Sequence, residues 1–196
     1  MAELLGQALH QGAAGLSTGL LYTPGRFADT AELLHLMSVL KKFDRLYATH
    51  LRSEGDQLTE ALEEAVFLAK NGSRKLQVSH LKTALPRNWD KLDRVLELIR
   101  NAQSCGIRLT ADRYPYIRSQ TSLSVILPPP YDAMDDISIR RTLCENPAEQ
   151  QKTARELAKS GRDWDSILLT ASNCMEYAYL SGKTIAEASK QLGMQP

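Results

Sequence analysis

YATHLRSEGD (47–56) and LQVSHLK (76–82) each carry a short alternating apolar run that ends on a histidine. These two, His50 and His80, are 30 residues apart in a chain with only four histidines. Between them, LTEALEEAVFLAK (58–70) sets Leu58, Ala61, Leu62, Ala65 and Leu68 on one helical stripe. Strand, helix, strand with short loops is the signature of parallel strands joined by right-handed crossovers.

The unit repeats outward from that stretch. Candidate strands are GLSTGLL (15–21), LYATH (46–50), KLQVSH (75–80) and IRLTAD (107–112). TAELLHLMSVLKK follows Asp29 or Thr30 as a cap and puts Leu33, Leu36, Met37 and Leu40 in register. Asp56 is the expected cap of the 58–70 helix, which Asn71 and Gly72 end. A further helix carries Leu92, Val95, Leu96, Ile99 and Ala102 on one face and stops at Gly106. The spacing fits a (βα)8 barrel or a doubly wound sheet; with four strands, about half a barrel is present.

After residue 123 the character changes. Pro128, Pro129 and Pro130 break regular structure, amphipathic stretches follow near 135–160, and DWDSILLTAS (163–172) reads as a strand. Thr184 and Glu187 form a capping box for a short helix to Leu192. The expected organisation is an α/β part over 1–123 and a mainly helical segment over 124–196.

Composition excludes some partners. Charged residues make up 24%, hydrophobic residues 43%, and the net charge is +1. Basic residues are scattered, so neither nucleic acid nor a membrane surface is an expected partner. No apolar run approaches the ~20 residues of a membrane span. The start MAELLGQALHQGAAG reads as the end of a helix, without the basic and apolar regions of a signal peptide. Cys105, Cys144 and Cys174 are odd in number and sparse, which fits a reducing, cytoplasmic setting.

Both His50 and His80 stand where βα loops begin, the end of a parallel sheet that carries chemistry. Alternation groups His50 with Leu46 and Ala48, and His80 with Leu76 and Val78. Two imidazoles on successive strand ends can meet on one metal ion; the plainer reading is a pair of partly buried polar residues. Lys82 suits a substrate carboxylate or a solvated loop. Tyr22 follows the first strand, and Asp112 is a ligand, a base or an anchor of Arg113 or loop amides. His10 and His35 sit in helical patterns as surface residues.

Taken together and in order, GLSTGLLYTPG, YATHLRSEGD, VSHLK and TADRYPY resemble the D-aminoacylase (N-acyl-D-amino-acid deacylase) family of the amidohydrolase superfamily. The resemblance implies a zinc-dependent (βα)8 barrel that hydrolyses N-acyl-D-amino acids to a carboxylate and a D-amino acid. It places His50 and His80 on the zinc-binding histidines of the fifth and sixth strands. Lys82, Tyr22, Tyr114 and Ser119 fall on residues that bind the substrate, and 124–196 falls on an inserted, lid-like segment.

Other parts of the family pattern are missing. No HxH pair and no early cysteine ligand are found, and the catalytic aspartate, the general base, is expected outside the chain. The resemblance thus implies an internal piece, inactive alone; open sheet edges and an apolar inner face that includes Leu16, Leu46, Leu76 and Leu109, or their alternates, make it prone to self-association. A non-catalytic half-barrel binding module and an amidohydrolase for cyclic amides are the alternatives; Lys82 argues against the latter. For an acidic substrate side chain, Arg52, Arg113 and Arg118 are available.

Overall fold

The computed structural model describes residues 1–131, 134–172 and 174–196, which form two compact units, Met1–Ser122 and Leu123–Pro196. The first unit runs α1 (Ala2–His10), β1 (Gly15–Gly19), α2 (Thr30–Phe43), β2 (Leu46–His50), α3 (Leu58–Asn71), β3 (Lys75–Val78), α4 (Leu92–Ser104) and β4 (Arg108–Ala111). The strands pair in parallel in the order β1-β2-β3-β4. A doubly wound sheet reverses its strand order; this one never does, so its right-handed crossovers all lie on one face. The result is a wall of successive βα units from a (βα)8-type barrel.

Local chemistry sets the boundaries. The Asp29 carboxylate accepts from the Glu32 amide at 2.8 Å and starts α2, while Gly106, at φ +81°, turns the chain from α4 into β4. Asp56 does not cap α3, whose N-cap is Gln57. Its carboxylate instead receives Arg87 at 2.8 and 2.9 Å and Asn88 at 3.0 Å. A charged, bidentate partner outcompetes a backbone amide for the same oxygens.

The core lies between the sheet and α2–α4. Leu33, Leu36, Met37 and Leu40 of α2 and Leu58, Leu62, Ala65 and Leu68 of α3 are buried as their spacing predicts. In α4 only Val95 and Ala102 are buried, and Leu92 stays 50% exposed. From the sheet, register aligns Leu16, Tyr47, Leu76 and Leu109 in one row, with Tyr47, Leu76 and Leu109 at most 3% exposed. Leu76 and Leu109 thus face the helices, and Leu46 lies on the other side. The open face is less apolar than expected: Leu46 lies on it, but its central row is Ser17, Ala48, Gln77 and Thr110. The sheet edges are the stronger basis for the expected self-association.

The second unit holds α5 (Asp136–Glu145), α6 (Pro147–Ala158) and α7 (Ile185–Leu192), with short 3-10 turns between α6 and α7. The capping box forms, with Thr184 Oγ1 accepting from the Glu187 amide and the Glu187 carboxylate accepting from the Thr184 amide. The strand expected over 163–172 is reduced to a single antiparallel bridge, Leu168 with Thr184. Asp163 accepts from the Asp165 amide and starts a turn at Trp164–Ser166, which consumes the first half of that run. No described helix is long and apolar enough to cross a membrane. Cys105, Cys144 and Cys174 are free thiols.

Candidate metal centre

His50 is the last residue of β2 and stands on the open face, paired in register with Gly19. His80 does not continue β3. Tyr47 pairs with Leu76, so strict alternation would send His80 to the helix-covered face, opposite His50. Instead β3 stops at Val78, and His80 takes φ +40°, a left-handed conformation uncommon for a non-glycine residue and concentrated at functional sites. The Asp112 carboxylate holds that turn by accepting from the His80 amide at 2.7 Å and from Gln77 Nε2 at 2.7 Å. Of the three readings open for Asp112, the anchor of loop amides is the one observed.

The turn brings the imidazoles together. Their ring centroids are 4.4 Å apart at 50°, with His50 Nδ1 pointing at His80 Nε2. Burial, and then the neighbouring His80, hold His50 below the ordinary histidine value. It is therefore neutral near pH 7, the state a metal ligand requires. Two converging imidazole nitrogens fit part of a zinc donor set. Among the described residues no group of three or more His, Cys, Asp or Glu is placed to hold a metal, so the pair is an incomplete set.

Lys82 is no solvated loop residue. Its side chain is 11% exposed, and Nζ lies 2.6 Å from Glu54 Oε1 and 5.7 Å from the centre of the Tyr114 ring. Arg113 covers the same ring at 4.4 Å. Tyr22 sits in the loop after β1 with its hydroxyl 3.3 Å from Thr121 Oγ1. Ser119 is exposed in the irregular segment after β4. The described contacts join His50, His80, Lys82 and Tyr114, and among the described residues no hydrogen bond ties Tyr22 or Ser119 to the histidine pair.

Arg52 is removed from the cations available to a substrate. Glu64 grips it through two bonds of 2.9 Å, and it donates to the carbonyls of Arg26 and Ala28. In the sequence Glu54 counts only as one of the polar neighbours that follow His50, with no role of its own. Its signal was its place four residues beyond His50, on the same loop.

No family model matches the chain. Among curated proteins it is 34% identical over 163 residues to the N-acyl-D-glutamate deacylase of Alcaligenes xylosoxydans xylosoxydans, covering 83% of this chain and 33% of that protein. The crystal structure of the N-acyl-D-glutamate deacylase of Bordetella bronchiseptica, complexed with zinc and a phosphonate inhibitor, superposes with a TM-score of 0.74 and 29% identity, covering 99% of this chain and 34% of that one. A D-aminoacylase crystal structure, described as defining a novel subset of amidohydrolases, gives a TM-score of 0.68 with 26% identity, over 98% of this chain and 33% of that one. A parallel βα wall with paired histidines on its C-terminal rim is thus of the amidohydrolase type. Within that class the chain belongs to the D-aminoacylase family. It spans about a third of the length of the curated relative it matches.

Proposed function

We propose that this chain supplies part of the metal and substrate site of a zinc-dependent N-acyl-D-amino-acid deacylase, which hydrolyses the amide to a carboxylate and a D-amino acid. The observation that carries the reading is the convergence of His50 and His80 beside a largely enclosed, aromatic-flanked Lys82. Zinc, when bound, activates water and polarises the acyl carbonyl. His50 and His80 are its ligands from this segment. The remaining ligands and the general base belong to parts of the enzyme outside these residues.

Lys82 receives the substrate carboxylate. An ammonium has three donors, and its bond to Glu54 engages one of them. Tyr114 lies against Lys82 and flanks the carboxylate it receives, and Tyr22 and Ser119 contact the substrate from the segments after β1 and β4. The zinc content of the whole enzyme tests the reading. His50→Ala and His80→Ala are each expected to lose most of the bound metal, and with it the hydrolysis of N-acyl-D-amino acids. Full zinc occupancy in both variants would remove the two histidines from the site.

A further inference from the structure

Glu54 stands on the loop leaving β2, and one of its oxygens is shared. Oε1 lies 2.8 Å from His80 Nδ1 and 2.6 Å from Lys82 Nζ. Lys82 Nζ in turn lies 3.0 Å from His80 Nδ1. The three side chains are largely enclosed, at 18%, 26% and 11% exposure for Glu54, His80 and Lys82.

This triangle allows neutral His80 two proton placements, and they exclude each other. An ammonium only donates. If Lys82 donates to Nδ1, the imidazole proton must sit on Nε2, the nitrogen that faces His50, and that nitrogen has no lone pair to offer. If Nδ1–H donates to the Glu54 carboxylate, the lone pair of Nε2 stays open. A carboxylate oxygen accepts from the imidazole and the ammonium together, which turns both donors toward itself.

We infer that Glu54 is a positioning residue that fixes His80 as its Nδ1–H tautomer and keeps Lys82 from claiming the ring, leaving Nε2 open to a metal. The consequence for zinc rests on the function proposed above, but the tautomer does not. The backbone supports the arrangement independently of the Glu54 side chain. The Glu54 carbonyl accepts from the Ala84 amide at 2.7 Å, tying the two loops together. Asp112 holds the His80 amide from the other side.

The experiment is imidazole 15N spectroscopy on the metal-free chain at a pH where both rings are neutral, followed by titration with zinc alone. The unaltered chain and Lys82→Met are expected to show His80 with the proton on Nδ1. Glu54→Ala is expected to move it to Nε2 and to weaken zinc binding about ten- to a hundredfold. In the Glu54→Ala/Lys82→Met double variant the competing donor is gone, so a mixture of tautomers and partial recovery of affinity are expected. Should Glu54→Ala fail to fold, Glu54→Gln keeps the volume and is expected to shift the tautomer in the same direction.

An Nε2–H tautomer in the unaltered chain, or an Nδ1–H tautomer that persists without the carboxylate, overturns the inference. The two readings fail separately. Zinc lost in His80→Ala with no tautomer change in Glu54→Ala defeats the role of Glu54 and leaves the metal site standing. A shifted tautomer with zinc retained in His50→Ala and His80→Ala does the reverse.

Discussion

On the helix-covered side of the sheet, Leu16, Tyr47, Leu76 and Leu109 stand in one row across the strands; on the open side the neighbouring row is Ser17, Ala48, Gln77 and Thr110. The first row is bulky and sealed under α2–α4, and the second is small or polar. Barrel interiors are commonly packed with branched apolar side chains. Here that filling is absent from the row of Ser17, Ala48, Gln77 and Thr110, on the side where His50 stands. Stability and chemistry are therefore separated by one residue of strand alternation, and substitutions one residue apart should have unlike effects.

The largest expected effect is on the covered side. Leu76 is 0% exposed at the centre of its row. Leu76→Ala removes buried methyl groups and leaves a cavity, at a cost of about 2–5 kcal/mol. Urea denaturation measures it. A loss below 1 kcal/mol would mean that the covered face is looser than its burial implies, and the comparison would break at its stronger end.

A smaller effect is expected where the covered face is polar. Thr18 Oγ1 lies 2.9 Å from Tyr47 Oη and 2.8 Å from Thr49 Oγ1, and Tyr47 and Thr49 are 1% and 0% exposed. Burial, above all, pushes the Tyr47 phenol up, so it stays neutral and needs hydrogen-bond partners. Thr18→Val keeps the shape and withdraws the hydroxyl, at about 1–3 kcal/mol for the polar groups left underpartnered. Thermal or urea unfolding at unchanged slope would report it. Wild-type stability in this variant would show that water or a shifted hydroxyl takes the place of Thr18.

Much of this architecture could be read from the chain because it is local. Helix stripes in α2 and α3, the Asp29 cap and the Thr184–Glu187 box each depend on residues within a few positions of each other. Histidine placement at the loop end of the sheet was legible for the same reason. What escaped depends on distant partners. Asp56 looks like a cap until Arg87, 31 residues on, takes its carboxylate. Arg52 looks available until Glu64 and two carbonyls enclose it. The turn at His80 has no glycine to announce its positive φ, and Asp112, which pins it, comes from the next strand unit. Alternation alone put His80 on the wrong face, and the sequence carries no short-range signal that corrects it.

The smallest effect is expected at Ser17, next to Thr18 on β1 but on the other face. Its side chain is exposed, and no described hydrogen bond uses its hydroxyl. Its register partner on β2 is Ala48, so the open face already carries a methyl group at the adjoining position, two residues before His50. Ser17→Ala removes one solvated hydroxyl and creates no cavity. Stability should move by no more than about 0.5 kcal/mol, the range of surface substitutions that touch no buried feature. Zinc content in the whole enzyme should not change. The value of the variant is its pairing with Thr18→Val, since the two differ by one residue and one face. Equal destabilisation by both would show that the open side contributes to the core after all. A drop in zinc from Ser17→Ala alone would show that this row reaches the histidine pair through Ala48.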